Sequence, residues 1–194
     1  MIFVGLCVAA AGCRAIYGLD DPQPFEAGIG GDGVLVMHAL NGTALFNDGQ
    51  ADGVAWANCQ TTESLRNSRV GNYDGTGPNV ATLTSLGIDT NGSFSVWLEG
   101  SVLAYDSPMS IELVADEFAF VDLSFDHGVT WMRELTASPG MPDIKTLQFP
   151  ESNTFYSVRI GWSNLSGQEV FLFNRKGASE SAYGDWTQDQ LKFP

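Results

Sequence analysis

Phe155-Tyr-Ser-Val-Arg-Ile-Gly-Trp162 is the stretch of sequence that decides the fold. Its large apolar side chains, Tyr156, Val158, Ile160 and Trp162, occupy every second position, with Ser, Arg and Gly between them. A period of two is the pattern of a β-strand, because successive side chains of a strand point to opposite faces of the sheet. We therefore predict a strand with one face in the core and the other in water.

Short apolar or alternating runs of this kind recur along the chain and are separated by turn residues rich in Gly, Pro, Asn and Asp. The predicted strands span 34–39, 80–84, 93–98, 109–114, 118–123, 129–135, 154–162 and 169–174. Helical periodicity is scarce, so nothing supplies the crossovers that a parallel sheet needs. The sequence predicts an all-β fold, a two-sheet antiparallel jelly-roll β-sandwich.

The composition fits one exported domain and excludes several functions. The 194 residues carry 23 acidic and 9 basic side chains, a formal charge of −14. So few basic residues cannot form the positive face that nucleic acid or anionic lipid requires. Many of the acids fall in predicted turns, which indicates turn chemistry and solubility rather than an acid–base site; they are Asp74, Asp89, Asp106, Asp126 and Asp185.

The N-terminal region has the pattern of an export signal. Residues 1–13 form an uncharged apolar run that ends in Ala-Ala-Gly-Cys, which resembles the lipobox of bacterial lipoproteins and implies lipidation of Cys13. No Lys or Arg precedes the run, so we expect the coding start to lie upstream. If the signal is cleaved elsewhere, a Cys13–Cys59 disulfide is the alternative. Residues 14–33 are rich in Gly, Pro and Asp, and we predict that they form a tether to a single domain at 34–194.

The sharpest local motif is Ser124-Phe-Asp-His-Gly-Val-Thr-Trp131, which matches the S-x-D-x-G-x-T-W pattern of the Asp-box. Asp126 can accept hydrogen bonds from backbone N–H groups of the turn, and Gly128 can adopt a positive φ. Thr130 completes the pattern, and Trp131 can pack beneath the hairpin. We interpret the motif as a folding device, so Asp126 is not predicted to be a catalytic acid.

With its surroundings, the motif resembles jelly-roll modules of the reelin and MAM-like type found in bacterial secreted proteins. The resemblance covers roughly residues 66–194 and ends on Gly184-Asp-Trp-Thr-Gln-Asp-Gln-Leu-Lys-Phe193. It implies a structural calcium ion on Asp189, which an early carboxylate such as Glu26 or Asp32 could complete. The neighbours Gln188 and Gln190 depart from the motif, and solvated surface carboxylates are the alternative to a calcium site.

A second resemblance is to concanavalin A-like laminin-G modules. It rests on Phe46-Asn-Asp-Gly-Gln-Ala-Asp-Gly53, on Gly71-Asn-Tyr-Asp-Gly-Thr-Gly-Pro-Asn-Val80 and on Ile88-Asp-Thr-Asn-Gly-Ser-Phe-Ser-Val-Trp97. Both candidate families are antiparallel jelly rolls, so the predicted fold class is the same for either.

No catalytic constellation stands out. G-x-S-x-G and H-E-x-x-H are absent from the sequence, and His38 and His127 are predicted to be a strand histidine and an exposed turn histidine. Paired acids of a polysaccharide hydrolase or lyase could be Glu112 with Asp116, or Asp116 with Glu117. Carboxylate pairs at this spacing are expected by chance in so acidic a chain.

Binding without catalysis is the function we predict. Sandwich modules offer sugars an aromatic platform beside polar groups for the hydroxyls. Tyr73 and Tyr183 lie in Gly-rich segments where exposure is expected, and Trp186 is the third candidate; other tryptophans such as Trp97, Trp131 and Trp162 are predicted to be core. The prediction is a cell-surface or outer-membrane lipoprotein, or otherwise a secreted or periplasmic one, that recognises carbohydrate or a protein partner. A purely structural envelope protein is the further alternative.

Overall fold

The computed structural model describes residues 33–42, 68–165 and 169–193. The predicted export signal and tether lie outside these ranges, and so do Cys13, Glu26, Asp32 and Cys59. Among the described residues, no helix combines the length and apolarity that crossing a bilayer requires.

Two antiparallel sheets form the described part of the chain. The larger contains β1 (Leu35–Asn41), β2 (Arg69–Tyr73), β3 (Phe94–Ala104), β5 (Phe118–Ser124), β6 (Met132–Ala137), β8 (Thr154–Asn164) and β11 (Leu191–Lys192), in the order β2-β1-β3-β8-β5-β6 with β11 beside β3. The smaller contains β4 (Met109–Ala115), β7 (Asp143–Leu147), β9 (Phe171–Gly177) and β10 (Gly184–Asp185), in the order β10-β9-β4-β7. The predicted two-sheet antiparallel sandwich is confirmed, and the chain alternates between the sheets from β3 to β5 and from β6 to β9, as in a jelly roll.

One predicted strand is wrong, because residues 80–84 are helical. Helix α1 spans Val80–Ser85, and the Asn79 side chain caps it by accepting a hydrogen bond from the Thr82 backbone N–H at 2.9 Å. Only Leu83 is buried. The β-branched run favours a strand, but the Asn79 cap favours a helix. The cap accepts the Thr82 backbone N–H, which in a strand would have to bond to a neighbouring strand.

The alternation in β8 is confirmed on its core side. Tyr156, Val158, Ile160 and Trp162 are all buried between the sheets. The opposite face of β8 is less exposed to solvent than predicted. A Cβ on Gly161 would lie 2.4 Å from the Phe120 ring, so that ring covers this position.

Arg159 shows how the outer face of β8 is organised. Its guanidinium carbon lies 3.8 Å from the centroid of the Trp131 ring, and Nη2 lies 3.4 Å from Glu99 Oε1. Trp131 is thereby half-buried outside the core rather than within it.

The loop between β5 and β6 is closed by its own side chains. Asp126 accepts hydrogen bonds from the Thr130 backbone N–H at 2.8 Å and the Thr130 hydroxyl at 2.6 Å, while the Gly128 N–H donates to Ser124 Oγ at 2.7 Å. Gly128 has φ +86°, and Trp131 Nε1 donates to its carbonyl at 3.1 Å. These bonds occupy both carboxylate oxygens of Asp126 within the loop.

Candidate functional site

One end of the sandwich gathers polar residues where β4 and β8 end and β5 and β9 begin. The chain passes from β4 to β5 through Asp116 and Glu117, and the Asp116 N–H donates to the Val170 carbonyl at 3.1 Å. Phe118 pairs with Ser163, so one more step of the register places Glu117 opposite Asn164. Residues opposite each other in antiparallel strands have Cα atoms about 5 Å apart. We call Asp116, Glu117, Trp162 and Asn164 the apical cluster.

The apical cluster contains buried polar atoms without hydrogen-bond partners. Asn164 has 0% exposure, and neither its Oδ1 nor its Nδ2 is paired within the described part of the chain. Trp162 Nε1 and Asp116 Oδ1 are likewise buried and unpaired. Each such group costs about 1–3 kcal/mol of folding stability, so a concentration of them at one end indicates a place that a bound group completes.

Aromatic rings hold these atoms in position. The Trp162 ring lies between Phe94, with centroids 5.0 Å apart in edge-to-face geometry, and Phe171, with centroids 5.2 Å apart. Asn164 follows Trp162 by two residues on the same strand, so its side chain points to the same face. The cluster is therefore carried by paired strands, which fix binding geometry better than loops do.

The donor and acceptor set of the cluster matches a hydroxyl-rich ligand. Asp116 and Asn164 offer acceptor oxygens, while the Asn164 amide and the Trp162 indole offer N–H donors. A hydroxyl group both donates and accepts, so neighbouring hydroxyls could satisfy both kinds of atom at once. The sequence singled out Asp116 and Glu117 only as candidate acids and missed Asn164. The one indication of Asn164 in the sequence is that an amide residue stands two positions after Trp162, where the strand alternation places it on the inward face.

The predicted ligand-binding aromatics lie elsewhere, and two of them are not exposed. Tyr73 is 2% exposed and Trp186 1% exposed, so the expectation that Tyr73 is exposed is wrong. Tyr73 donates its hydroxyl hydrogen to the Gly75 carbonyl at 3.3 Å, and burial followed by the charge of Asp185 raises its pKa above the ordinary value. Trp186 stacks on Phe173 with centroids 5.2 Å apart, so it serves the core.

Tyr183 is half-buried at the edge of the smaller sheet. The Lys176 ammonium lies 5.1 Å from its ring centroid. One face of this ring therefore already has a cation beside it, which is the position that a stacking sugar would need.

The remaining predicted chemistry is dispersed. Asp189 is exposed, and its carboxylate accepts the Thr187 hydroxyl hydrogen at 2.5 Å. In the described ranges no three His, Cys, Asp or Glu side chains are grouped as a metal site would need. Glu112 lies in β4 and Asp116 directly after its end, four residues on and roughly 13 Å away by the rise of a strand, which exceeds the separation of glycosidase acid pairs.

The two histidines have no shared role in the described structure. His38 is paired through Nδ1 with Ser68 Oγ at 3.0 Å, and burial lowers its pKa against the opposing influence of Glu99. His127 lies exposed in the loop after β5 with φ +59°.

Comparison with known proteins gives a fold but no family. No protein-family model matches the chain, and no curated protein matches its sequence. Among solved structures, the Epithelial Adhesin 6 A domain of Candida glabrata in complex with Galβ1-3GlcNAc is 14% identical, with a TM-score of 0.56 over 85% of this chain and 88% of that one. A subtype-switched Epithelial Adhesin 9 A domain of the same organism, in complex with β-lactose, is 15% identical, with a TM-score of 0.58 over 82% and 87% of the two chains. The chain shares the β-sandwich fold of these domains.

Proposed function

We propose that this protein is a carbohydrate-binding module that takes its ligand at the apical cluster and performs no chemistry on it. The observation that carries the proposal is the fully buried Asn164 amide, unpaired at the same end of the sandwich as the buried, unpaired carboxylate oxygen of Asp116. Because such atoms are costly to leave unsatisfied, their retention at one end of the fold favours a ligand that pairs with them.

The chemistry of the cluster favours a neutral sugar. Vicinal hydroxyls can accept from Asn164 Nδ2 and donate to Asp116 Oδ1. The net charge of −14 disfavours polyanionic glycans. The adhesin domains of the same fold were crystallised with galactosides, which supports the choice of probe as a fold-level analogy.

Calcium is not proposed at the apical cluster. Among the described residues, no three His, Cys, Asp or Glu side chains are grouped as a metal site would need. The site predicted from Asp189 with Glu26 or Asp32 stays a separate proposal, since its early carboxylates lie outside the described residues.

We also propose that the module is displayed at the cell surface by a lipid on Cys13, and that Cys13–Cys59 pairing is the alternative. Metabolic labelling with a palmitate analogue should mark the wild-type protein and not Cys13→Ser. Equal labelling of both proteins would contradict lipidation at this cysteine.

Calorimetric titration tests the glycan proposal directly. Galβ1-3GlcNAc, Galβ1-4GlcNAc and lactose are titrated into the wild type, Asp116→Asn and Asn164→Leu, each with calcium and with chelator. The matched control is Glu151→Gln, because Glu151 is exposed in the loop before β8, at the opposite end of that strand. We expect binding by the wild type and the control, and at least about tenfold weaker binding by the two cluster variants, as for a lost buried polar contact.

Three results would overturn the proposal: no binding of any of these sugars or of a wider glycan panel, equal binding by all four proteins, or release of reducing ends from the ligand. The last result would instead support the hydrolase or lyase alternative. Capture of a protein that competes with no sugar would support a protein partner at this end.

A further inference from the structure

The solvent face of the smaller sheet carries a second, chemically different surface. Register places Asp185 beside Asn174, Asn174 beside Glu112 and Glu112 beside Ile144, and the neighbouring row pairs Leu172 with Val114. Asn174 Nδ2 donates to Glu112 Oε2 at 2.9 Å. We call the surface formed by Glu112, Val114, Ile144, Leu172, Asn174 and Asp185 the β9 face.

The β9 face exposes apolar side chains next to carboxylates. Leu172 is 44% exposed and Ile144 52% exposed, both on the side away from the core. The Asp185 carboxylate is exposed and has no hydrogen bond or ion pair to any described residue. Lys176, the basic side chain of β9 on this side, lies against Tyr183. An apolar strip beside negative charge is complementary to a partner that combines apolar and basic side chains.

A small depression borders this surface. It lies between residues 75–77 and β9, is lined by Tyr73, Leu172 and Asp185 among others, and holds about 40 Å³. Ligand pockets for small molecules are usually about 300–1,000 Å³, so this one admits neither a disaccharide nor a whole side chain and is only a small recess beside Asp185.

The wall of the depression is rigid. Gly75 has φ +101°, and a Cβ there would lie 1.9 Å from the Trp186 carbonyl oxygen, so the loop at Gly75 lies directly against the Trp186 backbone. The Asp74 carboxylate accepts hydrogen bonds from the Thr76 backbone at 3.2 Å and the Thr76 hydroxyl at 2.7 Å. A site that is already formed loses little entropy when it binds.

We propose that the β9 face is a docking surface for a protein segment that presents a Lys or Arg flanked by apolar residues. The aliphatic stem of the basic side chain lies along Leu172, and its charged end lies at Asp185. The flanking apolar residues contact Val114 and Ile144. This surface borders the apical cluster, since the Asp116 N–H donates to the Val170 carbonyl two residue pairs beyond the Val114–Leu172 pair, but it uses different side chains and does not depend on the proposed glycan site.

The test uses the peptides acetyl-Gly-Leu-Lys-Leu-Gly-amide and acetyl-Gly-Leu-Glu-Leu-Gly-amide with the ¹⁵N-labelled full chain. We expect the Lys peptide to shift the amide signals of residues 74–77, 171–174 and 185, and the Glu peptide to shift none of them. Asp185→Asn should weaken binding of the Lys peptide about fivefold, the upper range for an exposed ion pair. Leu172→Ser should weaken it as well.

Glu151→Gln, an exposed position in the loop before β8, is the matched control and should bind the Lys peptide as the wild type does. Four results would overturn the proposal: equal shifts with both peptides, shifts elsewhere on the domain, full binding by Asp185→Asn, or competition by a galactoside. If the glycan titrations fail and these shifts remain, the docking surface stands without the proposed function.

Discussion

Replacing Asn164 with Leu should make the protein more stable while removing its ligand binding. The two side chains have similar volume, and Asn164 is fully buried with both polar atoms unpaired. Burial of an amide without hydrogen bonds costs about 1–3 kcal/mol in proteins, and an apolar replacement recovers that cost. The free energy of unfolding of Asn164→Leu should therefore exceed that of the wild type by about 1–3 kcal/mol.

Urea unfolding without ligand measures this difference, and thermal unfolding checks it. For a domain of this size each kcal/mol shifts the melting temperature by about 2–4 °C. Asn174→Leu is the matched control, because that amide donates to Glu112 at 2.9 Å and is only half-buried. It should lose about 0.5–1.5 kcal/mol, the net value of one hydrogen bond.

The reasoning is refuted if Asn164→Leu unfolds at lower urea than the wild type by 1 kcal/mol or more. That result would mean that the amide is satisfied in the free protein and that its role is structural. Gain of stability with loss of galactoside binding is the signature of a residue retained for function at a cost in stability.

Three further predictions concern residues that hold the fold. Asp126→Asn should lower the melting temperature at neutral pH but not near pH 2. Hydrogen bonds from Thr130 hold the pKa of Asp126 at about 2, against an ordinary 3.8. Because the unfolded chain protonates first as the pH falls, the stability that the Asp126 carboxylate contributes is lost between about pH 4 and pH 2. A difference that grows toward pH 2 would contradict this. Gly75→Ala should destabilise the domain by about 1–3 kcal/mol in urea unfolding, because its Cβ would overlap the Trp186 carbonyl oxygen, and an unchanged midpoint would show that the loop moves freely. Trp186→Ala should cost about 3–5 kcal/mol through the lost stack on Phe173, whereas a small cost would return Trp186 to the candidate ligand residues.

Local patterns predicted most of the strands because burial on one face enforces alternation. The inward series from Tyr156 to Trp162 in β8 is the clearest example. The same reasoning failed at 80–84, where Asn79 caps a helix of only six residues, too short for a helical period to show. It also missed β7, a five-residue edge strand that is mostly exposed and so has little apolar pattern.

The candidate site could not be predicted because it depends on sheet order. Asp116 and Asn164 are 48 positions apart in the sequence, and they lie at the same end of the sandwich only because β8 lies beside β5. Tyr73 was misjudged for a related reason. Glycines near an aromatic residue usually mean exposure, but here Gly75 lets the Trp186 backbone approach closely. Such contacts between distant segments leave no local signal.

The turn acids behave largely as the sequence predicts. Asp74, Asp89 and Asp106 each accept a backbone N–H within their own turn, from Thr76, Asn91 and Ser107. Asp185 is the exception, since it lies on β10 with its carboxylate exposed on the β9 face. With Asp126, four of the five acids predicted to serve turns therefore do so.

The indole N–H signal of Trp162 tests the central claim most directly. It is buried and unpaired at the apical cluster, and tryptophan indole signals are few and well separated. Galβ1-3GlcNAc titrated into the ¹⁵N-labelled wild type in calcium buffer should shift this signal in a saturable way, together with the amides of Asp116 and Asn164, and Asn164→Leu should show no shift. A Trp162 signal that stays in place while the sugar binds, or that moves equally in Asn164→Leu, would contradict a glycan site at this end of the sandwich.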